Sequence, residues 1–276
     1  PGSAATASDI DTPEPTSVSE DPSTLTPTPI PLGWDIDDYL ENAILSENSG
    51  KYLKGDFAAA GYTILLPGSY DDRVEEYASV TYMEFNYSDG VLSEVSGGHT
   101  MAAVTLWEGD TGGYELVEYW EPRDGSDYDA DLREKFPDSA YQQVVNAQQY
   151  ALTETQTCYA KAIEHFGVDT ATRLDALLGI ICSAPADSSN PAAYIEAHPA
   201  EYREMLYYGD YTLQYAYSEF LAGGKTGLRD SVLLSVMREL LGDEDRTDIT
   251  AGTAQEWFDE WKEASIRTMD ENSLDY

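Results

Sequence analysis

Residue types that could catalyse a reaction are present in this chain, but no known catalytic motif is complete. The three histidines, His99, His165 and His198, lack the H-E-x-x-H spacing of zinc hydrolases. No serine lies three residues before a lysine, and the G-x-S-x-G elbow of serine hydrolases is absent. His99 follows two glycines and precedes a predicted strand, so it could line a ligand. We therefore predict no catalytic residue, no metal ligand and no cofactor.

Four carboxylates between positions 124 and 131 suggest a calcium loop. The segment reads DGSDYDAD, but an EF-hand starting at Asp127 would need Gly where Leu132 stands and Glu where Asp138 stands. Two interpretations remain open: an irregular calcium loop, and a solvated turn whose acids cap the next helix. The solvated turn is our preferred interpretation.

Another group of carboxylates lies beside Trp120. Glu118, Glu121 and Asp124 could provide the two acids of a glycosidase, or they could flank a carbohydrate-binding surface that presents Trp120. Side chains alternate along a strand, so Glu118 and Trp120 would share one face while Tyr119 and Glu121 would share the other. Both interpretations stay open from the sequence.

The candidate ligand site combines the end of the predicted sheet with the helical half of the chain. Basic residues are scarce, and an arginine fork can hold a ligand carboxylate, although each arginine could instead pair with a local acid. We predict that one group of residues, at the end of the sheet and in the following loop, faces a second group in the helical half. The first group is Trp120, Glu121, Arg123 and Asp124, and the second is Arg203, Tyr207, Tyr208 and Asp210.

The two cysteines lie on consecutive predicted helices. Cys158 and Cys182 stand about ten residues before and thirteen after the turn near Gly167, so an antiparallel helix pair would place them at similar heights. A disulfide and two free thiols are both compatible with this spacing. No C-x-x-C motif is present, so we expect neither a zinc site nor a thioredoxin-like site.

The charge balance excludes several classes of partner. The chain has 276 residues, 15 of them Lys or Arg and 52 of them Asp or Glu, which gives a formal net charge of −37. Such a surface repels nucleic acid and anionic membranes, so we predict no nucleic-acid partner. No apolar run reaches the roughly 18 to 20 residues of a membrane-spanning helix.

The pattern of elements predicts an α+β fold. Residues 1–33 are rich in Ser, Thr and Pro and are predicted to form a disordered linker. We predict an α+β domain over 34–245, with a short helix and an antiparallel sheet of about four strands in 34–121 and helices in 138–245. The third strand is predicted over 100–107, and the first long helix over 140–166. A C-terminal helix and tail would occupy 246–276. Strands followed by helices, without βαβ alternation, favour this class over α/β.

Two segments resemble a known family. EYWEPRDGSDYDADLREKFP (118–137) and the stretch 190–240, which opens NPAAYIEAHPAEYREMLYYGD, are similar to the C-terminal extracytoplasmic region of BlaR1/MecR1-like M56 membrane peptidases of gut Firmicutes. The resemblance implies an ectodomain whose protease helices lie in an upstream, membrane-embedded part of the same polypeptide. Covalent β-lactam sensing is not implied, because the Ser-x-x-Lys motif is missing.

We therefore expect a non-catalytic ligand-binding ectodomain of a membrane-anchored bacterial sensor. It would lie outside the cell or at the cell surface and bind a cell-wall fragment or another extracellular ligand. The alternatives are a secreted glycan hydrolase that uses a carboxylate pair such as Glu118 and Glu121, and a structural surface protein.

Overall fold

Four strands follow one another along the chain and form one antiparallel sheet in the order β1-β2-β3-β4. The computed structural model describes residues 35–70, 73–109, 113–144, 147–185, 190–242 and 252–273, so the predicted linker lies outside the described residues. The strands are β1 (Phe57–Tyr70), β2 (Arg73–Ser88), β3 (Val91–Glu108) and β4 (Tyr114–Trp120).

A two-residue turn sets the pairing of β2 with β3. Asp89 and Gly90 both have positive φ, at 53° and 79°, which is the conformation of a type I′ hairpin turn. Ser88 then pairs with Val91, and the ladder continues to Arg73 opposite Trp107. Strand β2 is buried on both faces, since helices cover each side of the sheet.

One helix, α1 (Ile36–Asn48), covers the first face of the sheet. Asp35 caps it: the Asp35 side chain accepts from the Asp38 backbone N–H at 3.1 Å, and the Asp38 carboxylate accepts from the Asp35 N–H at 3.0 Å. Leu40 and Ile44 of α1 are fully buried. We refer to this side as the α1 face.

The helical half covers the other face, which we refer to as the α4 face. A 3-10 turn at Gly125–Asp127 precedes the first of its helices, and another at Ala147–Gln149 precedes the third. The helices are α2 (Tyr128–Lys135), α3 (Asp138–Val144), α4 (Ala151–Phe166), α5 (Thr170–Ile181), α6 (Pro191–Ala197), α7 (Pro199–Tyr207), α8 (Asp210–Leu221), α9 (Leu228–Leu241) and α10 (Ala254–Ser273).

Helix α4 lies directly against the sheet. A Cβ atom at Gly61 of β1 would come within 2.1 Å of the Glu154 backbone oxygen, so only glycine permits this approach. On the same side of α4, Cys158 is fully buried and its Sγ lies 3.7 Å from the Ala59 carbonyl oxygen. The helix thereby joins the sheet to the remaining helices.

The last helix shares the core of the earlier ones. Trp257 and Phe258 of α10 are buried in the same cluster as Phe220 of α8 and Val232 of α9. Phe258 stacks on Phe220 with ring centroids 5.2 Å apart. The described fold is therefore α+β, with the antiparallel sheet and the helical half that the sequence predicts.

Candidate functional site

The strongest candidate site is a cleft of about 420 Å³ between α4 and the turn that joins α7 to α8. We call it the α4–α8 cleft. Hydroxyl, amide and carboxylate side chains make up most of its lining, and two of the predicted site residues, Tyr208 and Asp210, belong to it. The other polar lining residues are Thr153, Gln156, Thr157, Glu164, Tyr211 and Gln214.

The turn at Gly209 closes one side of the cleft. Gly209 has φ 50° and ψ −118°, a backbone conformation that disfavours residues with a Cβ. A Cβ there would also lie 3.3 Å from Gln156 side-chain carbons. Gln156 is fixed in turn, because its Nε2 donates to the Leu206 carbonyl oxygen at 2.9 Å. The cleft thus depends on a contact between α4 and the end of α7.

Two tyrosines of the cleft differ in exposure, since Tyr208 is buried and Tyr211 is partly exposed. Burial is the main cause that raises the pKa of Tyr208, and the nearby Glu204 carboxylate raises it further. Glu204 is held by Arg173, which donates to its two oxygens at 2.7 Å each. Burial also raises the pKa of Tyr211, with a further contribution from Glu164. Both phenols are therefore neutral hydrogen-bonding groups at physiological pH.

The residues around Trp120 have other partners. Trp120 packs near Phe136 on the α4 face, with ring centroids 6.0 Å apart. Glu121 bonds Lys51 at 2.5 Å and accepts from the Tyr119 hydroxyl at 3.2 Å. The packing of Trp120 and the ion pair of Glu121 are sufficient structural roles for both residues.

Arg123 pairs with local acids, which is one of the two outcomes considered from the sequence. Its guanidinium donates to both oxygens of Asp131, at 2.9 and 2.6 Å, and lies 3.0 Å from Asp127. The hydrogen bond from Arg123 lowers the pKa of Asp131 to about 2. Asp124 precedes the 3-10 turn and makes no capping hydrogen bond there. Asp127 and Asp131 are thus paired with Arg123, and the expectation that the acids cap the next helix is wrong, because Asp127 makes no side-chain capping hydrogen bond at the start of α2.

The structure does not bring the two predicted groups together. Trp120 pairs with Ala103 of β3. Tyr207 contacts Tyr159, whose ring lies 5.1 Å from Phe85, which pairs with Glu94 of β3. Positions 94 and 103 are nine residues apart along the strand, which is about 30 Å. Arg203 is exposed on α7, about one helical turn before Tyr207.

The two carboxylates considered for a hydrolase, Glu118 in β4 and Glu121 just after it, have partners on opposite faces of the sheet. Glu118 pairs with Lys135 of α2 at 2.7 Å, whereas Glu121 pairs with Lys51 beyond the end of α1. Each acid is neutralised by its own lysine on its own side of the sheet. Glu118 and Glu121 therefore do not flank a common cleft.

A serine, a histidine and a glutamate that the sequence did not connect meet on the α4 face. His99 Nε2 lies 2.9 Å from Ser79 Oγ and 3.4 Å from Glu154 Oε2, and Thr81 donates to Glu154 at 3.0 Å. A catalytic triad requires the acid and the nucleophile on different ring nitrogens. Here both face the same nitrogen, and Ser79 is fully buried. The cluster therefore lacks the geometry for nucleophilic catalysis.

Both cysteines are free thiols, so the disulfide alternative is wrong. Cys158 points into the sheet, and burial raises the pKa of its thiol. Cys182 follows α5, where Arg229 and Asp230 are its charged neighbours. Within the described ranges, no three His, Cys, Asp or Glu side chains are placed to hold a metal ion.

No described helix combines the length and apolar character needed to cross a membrane. No protein-family model, no curated protein and no solved structure matches this chain.

Proposed function

We propose that this chain is a non-catalytic recognition module that binds a cell-wall glycan fragment in the α4–α8 cleft. The observation that carries the proposal is the lining of that cleft. Planar amides, carboxylates, hydroxyls and tyrosines surround a space of about 420 Å³, which suits one or two sugar rings. Such side chains can hydrogen-bond sugar hydroxyls, and aromatic rings can pack on the sugar faces.

The charges of the cleft favour a neutral or cationic ligand. Glu164 and Asp210 are carboxylates, and the described residues that line the cleft include no Lys or Arg. An anionic ligand would bring like charges together at short distance, which is unfavourable. Arg123 lies outside this cleft and already holds Asp131, so it does not serve as the fork for a ligand carboxylate.

Several observations favour binding over hydrolysis. Glu118 and Glu121 are each paired with a lysine on different sides of β4. Ser79 is buried, and it shares one histidine nitrogen with Glu154. A ligand in the α4–α8 cleft would therefore meet hydrogen-bonding groups without an activated nucleophile.

We further propose that the module is the extracytoplasmic part of an M56-type membrane protein and passes ligand binding to its membrane-embedded portion. The resemblance of residues 118–137 and 190–240 supports this placement. The reading frame that encodes the chain provides the test. We expect a multi-helix segment with H-E-x-x-H upstream, and a frame without one would contradict the placement.

Calorimetric titration with chitotriose, an uncharged trimer of N-acetylglucosamine, tests the ligand. Ala160 lies in the cleft, so Ala160→Phe should fill it and weaken binding at least tenfold. Ala176→Phe on the exposed side of α5 is the matched control and should bind like the wild type. Equal weakening by both variants, or no binding to the wild type, would refute this ligand.

A further inference from the structure

A second cavity lies on the α1 face of the sheet, away from the α4–α8 cleft. It measures about 460 Å³, is open to solvent on one side and is lined by the end of α1, the following loop and the paired strands β1 and β2. We call it the Glu84 cavity, because Glu84 and Tyr82 of β2 line it. Ser46 and Ser49 contribute hydroxyl groups from the α1 side, and Lys54 and Asp56 of the following loop add one charge of each sign, so that with Glu84 the lining carries more negative than positive charge.

Glu84 is a buried carboxylate whose partners in the structure are neutral. It is 5% exposed, and it accepts from the Gly55 backbone N–H at 2.9 Å and from the Tyr82 hydroxyl at 2.5 Å. Lys54 lines the same cavity, but in the part of the chain that the structure describes neither Lys54 nor any other Lys, Arg or His side chain forms an ion pair with Glu84. A carboxylate has about four acceptor positions, so Glu84 can accept further hydrogen bonds.

A buried carboxylate without a cationic partner is costly, and a bound cation would offset that cost. The shape of the cavity determines which cation fits. A bare metal ion needs several oxygen ligands within about 2.6 Å, whereas this space accommodates an organic molecule. The ammonium group donates three hydrogen bonds and accepts none, so it complements the Glu84 carboxylate.

We propose that the Glu84 cavity binds the ammonium group of a small primary amine. A free diamine and the lysine side chain of a peptide present the same chemistry to Glu84. The net charge of −37 attracts cations to the whole surface, so an experiment must separate the cavity from that general attraction. This site is independent of the glycan proposal, since it lies on the opposite face of the sheet.

The test is calorimetric titration with 1,5-diaminopentane in 150 mM salt, which screens surface attraction. We expect saturable binding at one site, and no binding of 1,5-pentanediol, the uncharged analogue. Glu84→Gln keeps the shape and removes the charge, so it should weaken amine binding at least tenfold. Glu115→Gln makes the same charge change on the exposed side of β4 and should leave the affinity within twofold.

A second amine ligand and a second cavity variant complete the experiment. Nα-acetyl-lysine methylamide tests a peptide-borne amine, and binding of either amine at Glu84 supports the proposal. Ser46→Trp narrows the exposed mouth and leaves Glu84 intact, so it should weaken binding even if Glu84→Gln does not fold. Equal losses in Glu84→Gln and Glu115→Gln, binding of the diol, or no saturable binding of either amine would overturn the proposal.

Discussion

Glu76 is a buried carboxylate on the α1 face of the sheet, and one of its oxygens has no hydrogen-bond partner. Burial is the main cause that raises the pKa of Glu76 from its ordinary 4.5 to about 7, and Asp37 adds to the shift. The folded protein therefore favours the protonated side chain. The resulting stabilisation is fully present below about pH 4.5 and is lost as the pH rises through about 7.

We expect Glu76→Gln to be more stable than the wild type at pH 8 and similar to it at pH 4.5. The difference at pH 8 should be about 1–3 kcal/mol, because glutamine carries no charge to desolvate. Denaturant unfolding at both pH values measures it. Glu115→Gln, at an exposed position, should show no such pH-dependent difference. A Glu76→Gln difference that does not change between the two pH values would contradict the expectation.

The sequence can predict some residue contacts and not others. Asp127 stands four residues after Arg123, so a local pair is foreseeable. The polar stripe of α4, with Gln156 and Glu164, is typical of a helix face in solvent. This stripe lines a cleft only because the turn at Gly209 packs against α4. The hydrogen bond that fixes this contact joins Gln156 to Leu206, which are fifty residues apart in the sequence. Hydrophobic periodicity carries no information on such a contact.

Helix α4 approaches strand β1 closely at Gly61 on the α4 face. Gly61→Ala would place its Cβ 2.1 Å from the Glu154 carbonyl oxygen, so the helix or the strand must move. We expect a loss of at least about 2 kcal/mol in the free energy of unfolding, from overpacking.

Another glycine provides the control for this expectation. Gly179 lies in α5, and a Cβ at this position would have no neighbouring atom within 4 Å, so Gly179→Ala should gain about 0.5–1 kcal/mol from helix propensity. Denaturant unfolding of both variants provides the comparison. If Gly61→Ala left the free energy of unfolding unchanged, α4 would not pack on β1 as described.

The order of elements is predictable from the sequence, whereas several boundaries are not. Aromatic and β-branched segments followed by helical periodicity predict the α+β class, which the structure confirms. The same pattern predicts a third strand that begins at Thr100, but β3 begins at Val91. The turn at Asp89-Gly90 is visible in the sequence, but the serines and glycines that follow it do not show the strand pattern, although they pair with β2 directly after the turn.

One predicted helix is two helices in the structure. The apolar pattern from Ala140 to Phe166 predicts a continuous helix, but α3 ends at Val144 and α4 begins at Ala151, with a 3-10 turn between them. Each piece packs on the sheet: Gln143 donates to the Leu65 carbonyl oxygen at 2.6 Å, and α4 lies over Gly61. Tertiary contacts thus override a local helical pattern.

At the scale of the whole chain, a strongly acidic composition accompanies the two candidate ligand sites, which lie among the described residues. The net charge of −37 disfavours anionic partners and raises the local concentration of cations. The α4–α8 cleft and the Glu84 cavity both contain carboxylates, which agrees with neutral or cationic ligands. Carboxylates that could have formed a hydrolytic pair are instead paired with lysines.

The central claim is that the protein binds a glycan without converting it, and one NMR measurement tests both parts. Chitotriose is mixed with the wild-type protein, saturation transfer from protein to sugar is recorded, and the sugar spectrum is followed overnight. We predict saturation transfer that Ala160→Phe abolishes, together with an unchanged sugar spectrum. New reducing-end signals that depend on the protein, or no saturation transfer at all, would contradict the account.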